Sequence, residues 1–533
     1  MKIDLFDTTL RDGAQTPGIS FGIEDKLRII QALDEFGMDF IEAGNPGSNP
    51  KDLELFERAA RLNLKNAKLV AFGPTCRAGV KASEDESLQK LIQAGTDYIV
   101  IFGKSWLLHV EKIIQTDAEE NLRIIFDSIK FLRDNNKKVF FDAEHFFDGY
   151  SDNKDYALQV LRTAGTAGAE VIILCDTNGG NMPDKIGGIV SEARKTAGDA
   201  IPRLGIHCHN DTGLSVASTI EAVKNGAVHI QGAINGLGER CGNADMCVLI
   251  PNLQLKLKYD CVPPENLRNL TGLARLIADI SNTAFNERTA YVGGHAFTHK
   301  AGMHVDAVNK LPASFEHIRP ELVGNVRDTL ISEISGRAAL LNRMKLFAPD
   351  ISKSAPELQK VLAHIKSREN EGYQFENAEG SLDLIILEVL GRYRKFFEVE
   401  GFKVDIPEPF MGNKAGAQIK ISVGGRESET AEAEGSGPVN ALDIALRTAL
   451  SRFFPALENM RLIDYKVRVL NSGEATAAKV RVLIESSDNI HVWRTVGVST
   501  DIIEASWKAL LDSVGYKLSL DAGLVTIESC GYE

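Results

Sequence analysis

The chemistry of this chain centres on two histidines one residue apart. Residues 203–213 read RLGIHCHNDTG, which sets His207 and His209 at positions i and i+2. On a strand that spacing turns both imidazoles to one face, while Cys208 between them faces the other way and is a poor ligand. Such a pair is either a metal clamp or two ordinary buried histidines, and the rest of the chain must supply the missing ligands. A carboxylate is available in Asp12, beside Arg11 in DTTLRDGAQ (7–15), and an amide oxygen in Asn243 of GLGERCGNAD (236–245). Two imidazoles, a carboxylate and an amide oxygen form a mixed N/O set suited to Mn²⁺, Mg²⁺ or Zn²⁺, with positions left for substrate oxygens. Asn243 is the least specific member, because an Asn after Gly also caps helices.

Other side chains suit the same centre. Arg11, next to an ion-held oxygen, is placed to stabilise developing alkoxide or enolate charge. A plain salt bridge is its structural alternative, and Glu42 serves both readings by fixing the guanidinium. Glu144 stands in DAEHFFDG, at the end of an apolar strand, where an acid is costly unless it is paired or works on protons. Thr177 can orient a substrate carboxylate through its hydroxyl. Asp176 serves equally as a rim hydrogen-bond acceptor, and His145, pointing away from Glu144, is assigned to packing. Together these residues describe a metal-dependent enzyme that polarises a 2-oxo acid by bidentate chelation and makes or breaks the adjacent carbon–carbon bond.

These residues need a scaffold that gathers them. Apolar strand runs occur at IDLFD (3–7), DFIEAG (39–44), KLVAFG (68–73), YIVIFG (98–103), KVFFDAEHF (138–146), EVIILCDTNG (170–179), LGIHCHND (204–211) and HIQGAING (229–236). Amphipathic helical stretches such as EDKLRIIQALDEFG and AEENLRIIFDSIKFLRDN separate them. Mainly apolar strands alternating with helices give a parallel sheet, and eight such units in about 260 residues are what a (β/α)₈ barrel requires. A doubly wound sheet would place a GxGxxG turn after the first strand, where this chain has DTTLRDGAQTPG. Every side chain singled out lies at the C-terminal end of a strand or just beyond it. Barrel closure makes strands 7, 8 and 1 neighbours, which joins Asp12 to His207, His209 and Asn243.

Residues 1–265 therefore read as a catalytic barrel and 266–395 as a polar helical connector. Residues 396–533 read as an α+β domain in which a β-β-β-α unit occurs twice, with glycine turns at Gly435 and Gly497. The last part carries no catalytic cluster, so dimerisation and effector binding are its expected roles. A net charge of −13 over 533 residues argues against nucleic acid or an anionic membrane as partner. The seven cysteines never form a CxxC pair and read as reduced thiols. No signal-peptide pattern or long apolar span is present, so a cytoplasmic location without membrane association is expected.

The motifs DTTLRDGAQ, GIHCHND (205–211) and GLGERCGNAD together resemble the signatures of the 2-isopropylmalate, homocitrate and citramalate synthase family. FGKSWLLHV (102–110), FDAEHFFDGYSDN (141–153), LCDTNGGNMPD (174–184) and FEHIRPELVGN (315–325) resemble its longer citramalate synthases in particular. The resemblance implies a Claisen-type condensation of pyruvate with acetyl-CoA that releases (R)-citramalate and CoA, with a larger 2-oxo acid as the rival substrate. It implies Asp12, His207 and His209 as principal metal ligands with Asn243 completing the set, and Arg11, oriented by Glu42, at the charged oxygen. Glu144 and Thr177 match positions around the 2-oxo acid. His304, in HKAGMHVDAVNK (299–310), matches a histidine that reaches from the helical arm over a partner subunit's barrel. Phe315 stands where several family members carry a tyrosine, so no hydroxyl role is transferred there. By the same resemblance the C-terminal domain forms a homodimer and binds isoleucine as feedback effector.

Overall fold

The computed structural model describes residues 1–197, 203–299, 302–329, 336–406, 414–425, 428–470, 478–488 and 490–525. Two compact units result, one of Met1–Phe297 with Ile318–Arg327, the other of Thr298–His317 with Asp328–Glu533.

The first unit contains the expected barrel. Its strands are β1 (Asp4–Asp7), β2 (Phe40–Gly44), β3 (Lys68–Pro74), β4 (Tyr98–Lys104), β5 (Lys138–Glu144), β6 (Val171–Asp176), β7 (Leu204–Cys208) and β8 (His229–Gly232). They run parallel in the order β1 to β8, and β8 pairs back onto β1 through Asp4↔His229 and Phe6↔Gln231. The intervening helices start and stop on local signals. Asp117 caps Ala118–Asp134 by accepting from the Glu120 amide at 2.8 Å, and Gly168, at φ 99°, ends Lys154–Ala167 in the left-handed conformation that glycine adopts without strain.

Strand alternation sorts the side chains into two cores. Outward residues such as Leu5, Ile41, Ile101, Phe141, Leu174 and Ile206 pack beneath the helices. Inward residues Phe6, Phe40, Val70, Val100, Phe140, Val171, Ile173 and Cys175 fill the lumen. Phe40, Tyr98 and Phe140 meet edge-on or tilted there, with centroids 5.1–5.6 Å apart, and His229 joins the aromatic tier at 5.2 Å from Phe6 and 5.4 Å from Phe140. Polar residues of the same inward parity, Glu42, Asp142, Glu144, His207 and Gln231, follow toward the strand C-termini. Aromatic floor below, polar tier above: this order gives the barrel its working end.

Four strands stop earlier than their apolar runs suggested, β6 among them at Asp176. β5 ends at Glu144 because His145 turns to φ 56°, β8 ends at Gly232, and β7 ends at Cys208. His209 is held just past β7 by an isolated antiparallel bridge to Asn243.

In the second unit the β-β-β-α arrangement occurs twice. Strands Glu398–Asp405, Ala415–Ser422 and Glu429–Gly435 form one antiparallel sheet followed by helix Pro438–Ser451. Strands Arg461–Val469, Val480–Ser487 and Val492–Ser499 form the other, followed by helix Ile502–Asp521. The two glycines have one shared reason. A Cβ on Gly435 would stand 2.4 Å from the Ala441 nitrogen, and one on Gly497 2.0 Å from the Ala505 oxygen, so each lets a helix backbone close onto the third strand of its sheet. Helices Gly336–Phe347, Pro356–Glu371 and Glu379–Val389 contribute Leu340, Leu358 and Ile386 to the same apolar core as the two sheets.

Candidate active site and metal centre

Asp12 sits on the turn after β1, facing the end of β7. Its Oδ2 lies 3.7 Å from Nε2 of His207 and 3.8 Å from Nε2 of His209, and the two imidazole nitrogens are 3.3 Å apart. All three side chains are buried, and they form the one His/Cys/Asp/Glu group with metal-holding geometry among the described residues. Asn243 donates from Nδ2 to the Thr8 hydroxyl at 3.0 Å, which leaves its Oδ1 unpartnered; Asp12 Oδ1 and His209 Nδ1 also lack partners. Buried polar atoms without partners cost about 1–3 kcal/mol each. Lone pairs converging in a buried site, with unpartnered oxygens on two of the residues, suit a divalent cation.

Protonation states agree with that use. Burial works to raise the Asp12 carboxyl, but Arg11 and then the two imidazoles outweigh it and hold the group near about 2. Burial pushes His207 down to about 3 and lowers His209 as well, so at neutral pH the site offers one carboxylate and two neutral imidazoles.

Arg11 is clamped on several sides. Its Nε donates to Glu42 Oε2 at 2.6 Å, one terminal nitrogen donates to Asp12 Oδ2 at 3.1 Å, and its guanidinium carbon lies 3.8 Å from the Phe72 ring centroid. Phe72 in turn stacks on Phe102 at 5.2 Å. Glu42 is fully buried, and burial pushes its carboxyl up to about 7 against the opposing pull of Arg11.

On the opposite wall, Glu144 is paired across the β4–β5 register with Lys104, whose ammonium forms an ion pair with Glu144 Oε2. Asn121 fixes the Lys104 carbonyl from the neighbouring helix at 2.8 Å. The Thr177 hydroxyl accepts from the His145 amide at 2.9 Å. Asp176 binds Asn181 through both carboxylate oxygens and thereby shapes the loop after β6. His145 packs against His109, with centroids 4.2 Å apart, and reaches Asp148 at 3.4 Å. Arg240 grips Asp211 with two nitrogens, at 2.7 and 2.9 Å, and bonds the Thr177 carbonyl at 2.7 Å, tying the β6, β7 and β8 loops together.

Barrel folding thus brings together Arg11, Asp12, Glu42, Glu144, Thr177, His207, His209 and Asn243 at one end of the strands. His304 belongs to the second unit, on helix Gly302–Lys310, where its ring stacks on Phe315 at 4.3 Å. Lys104, Asp142 and Gln231 are further polar residues of the barrel end that were not singled out, although Lys104 and Asp142 lie within FGKSWLLHV and FDAEHFFDGYSDN. Their signal was parity: Asp142 is two residues before Glu144, and Gln231 two after His229. The described cysteines are all unpaired; Cys530 lies outside the described residues.

Comparison with known proteins matches three successive stretches of the chain. A family model described as HMGL-like matches residues 2–277, one described as homocitrate synthase post-HMGL domain-like matches 291–372, and one described as LeuA allosteric (dimerisation) domain matches 376–518. An (R)-citramalate synthase of Geobacter sulfurreducens is 49% identical over 97% of this chain and 97% of its own. One from Aquifex aeolicus is 48% identical over 98% of each. The chain belongs to the (R)-citramalate synthase family. A probable 2-isopropylmalate synthase of Methanopyrus kandleri is also similar, at 29% identity over 96% of this chain and 98% of its own. The gap favours the (R)-citramalate synthases over that rival, and the match extends through the barrel, the connector and the C-terminal sheets alike. No helix among the described residues is long and apolar enough to cross a membrane.

Proposed function

We propose that the protein condenses pyruvate with acetyl-CoA and water to (R)-citramalate and CoA. The observation that carries this reading is the buried Asp12–His207–His209 cluster beside a clamped arginine, in a chain 49% identical to an (R)-citramalate synthase. Asp12, His207 and His209 would hold a divalent ion, with the Asn243 oxygen as the further ligand. When bound, such an ion supplies Lewis acidity toward the oxygens of a 2-oxo acid.

The remaining chemistry belongs to side chains. Overall, one methyl proton leaves acetyl-CoA, the new carbon–carbon bond forms at the keto carbon, the keto oxygen takes a proton, and water cleaves the thioester. Arg11 stabilises the negative oxygen that develops at the keto carbon, with Glu42 and Phe72 keeping the guanidinium in one orientation. Glu144, steadied by Lys104, handles the proton at that oxygen, and the Thr177 hydroxyl orients the substrate carboxylate. His304 is a further proton-transfer group, supported by its match to the family motif. Binding two of the three reactants in a dry barrel end also converts their encounter into an intramolecular step.

The division of labour follows: a catalytic barrel over 1–265, a connector over 266–395, and a regulatory and dimerising domain over 396–533. Isoleucine is the proposed effector and the cytoplasm the proposed location. The decisive assay supplies acetyl-CoA with pyruvate, 2-oxoisovalerate or 2-oxoglutarate and follows CoA thiol release. Pyruvate is expected to turn over fastest, and faster turnover of either larger acid would overturn the substrate assignment. Adding isoleucine is expected to inhibit the full chain but not one truncated after about residue 400; an unresponsive full chain would remove the effector reading.

A further inference from the structure

His207 has two ring nitrogens, and only one faces Asp12 and His209. The other, Nδ1, lies 2.9 Å from Oε1 of Gln231, a residue with no solvent exposure on β8. The amide nitrogen of Gln231 donates in turn to Asp142 Oδ1 at 3.1 Å. β5 and β8 are not neighbours in the barrel, so this last hydrogen bond crosses the lumen. It lies among inward-facing residues, between the aromatic tier of Phe6, Phe40, Phe140 and His229 and the ligand cluster.

The chain of bonds has a direction. Burial raises the Asp142 carboxyl, yet the contacts themselves set the direction: Asp142 Oδ1 accepts from the Gln231 amide nitrogen, which leaves the amide oxygen facing His207 on β7. An amide oxygen only accepts, so the proton of neutral His207 stays on Nδ1, and Nε2 keeps a free lone pair toward Asp12 and His209. The reverse direction would place the proton on Nε2 and abolish its use as a ligand. We propose that Asp142 and Gln231 are positioning residues that fix the His207 tautomer, and with it the divalent-ion affinity of the Asp12–His207–His209 site, through a hydrogen-bond relay across the barrel. This rests on the metal reading above. Partners of this kind typically change metal affinity by about 10–100-fold.

The test titrates Mn²⁺ alone into the metal-stripped full-length protein by calorimetry, with circular dichroism as a check on folding. Gln231→Leu is expected to weaken binding about 10–100-fold. The swapped variant Asp142→Asn/Gln231→Glu rebuilds the relay with its original direction. The asparagine nitrogen donates to the new carboxylate, which still accepts from Nδ1 of His207. It is expected to bind within a few-fold of the unaltered protein. Unchanged affinity in Gln231→Leu would overturn the inference, as would equal weakening in Gln231→Leu and in a folded swapped variant, since packing alone would then explain both. If the unaltered protein binds no Mn²⁺, the metal reading itself falls and takes the relay with it.

Discussion

Lys104 and Glu144 stand side by side on β4 and β5 and join their charges at the mouth of the barrel. Both are less than one-quarter exposed, so their attraction is screened less than that of a surface pair. If Glu144 handles a proton, the ammonium that steadies it governs turnover. Lys104→Met is expected to lower kcat about 10²-fold, within the range of general acid–base contributions, with a smaller change in KM. Lys104→Arg keeps the charge and is expected to recover part of the loss. Steady-state CoA release measures both, and an unchanged kcat in Lys104→Met would remove the role.

His209 is the sharper probe of the ligand cluster, because its Nδ1 has no partner and no relay supports it. Its replacement by alanine is expected to abolish both Mn²⁺ binding and condensation while the barrel stays folded. Equilibrium dialysis and the CoA assay read the two effects separately, and full binding in His209→Ala would return the histidine to the structural residues.

His229 predicts an acid response independent of catalysis. It is fully buried, neither ring nitrogen has a partner, and burial holds its pKa near about 3, well below the usual 6.5. Below pH 6.5 the unfolded chain takes up a proton that the folded chain refuses. Stability is therefore fully present above that pH and is lost as pH falls toward 3, by about 1.4 kcal/mol per pH unit for this one proton. His229→Leu is expected to remove that one-proton slope. Denaturant unfolding at pH 7 and pH 5 measures it, and parallel pH dependences in the two proteins would contradict the assignment.

Gly497→Ala is expected to destabilise the second unit by about 1–3 kcal/mol or more, since the added carbon meets a helix backbone that lacks a flexible side chain to move aside. Gly401→Ala, with nothing within 4 Å, is the control expected to be near neutral. Thermal melts of the two variants distinguish the explanations, and equal melting points would show that the close approach is relaxed at little cost.

The barrel was legible because its eight apolar runs are short, regularly spaced and bounded by helical periodicity. The ligand cluster was legible because the HxH spacing places both imidazoles inward whatever the exact strand ends. Lys104, Asp142 and Gln231 were harder to see. Each is an inward polar residue in a short strand, and its partner lies on another strand, for Gln231 one across the lumen. Alternation gave their facing but not their partners, because cross-lumen distances depend on barrel closure and tilt rather than on sequence spacing. Strand ends were overextended for a similar reason: His145 takes a left-handed backbone that its apolar neighbours do not announce. The helices of 336–389 read as a polar connector, yet their buried stripes complete the core of the C-terminal sheets.

The aromatic floor of the barrel has a kinetic consequence. Phe6, Phe40, Tyr98, Phe140 and His229 close the lumen below the polar tier, so the cup has a single mouth. In the proposed reaction, a small acid held against Arg11 would lie deeper than a thioester whose nucleotide is too large to follow it inside. The acid would then be expected to enter before the thioester and to leave, as product, after CoA. Ordered addition and release are therefore the expected kinetic pattern of a cup closed at its bottom.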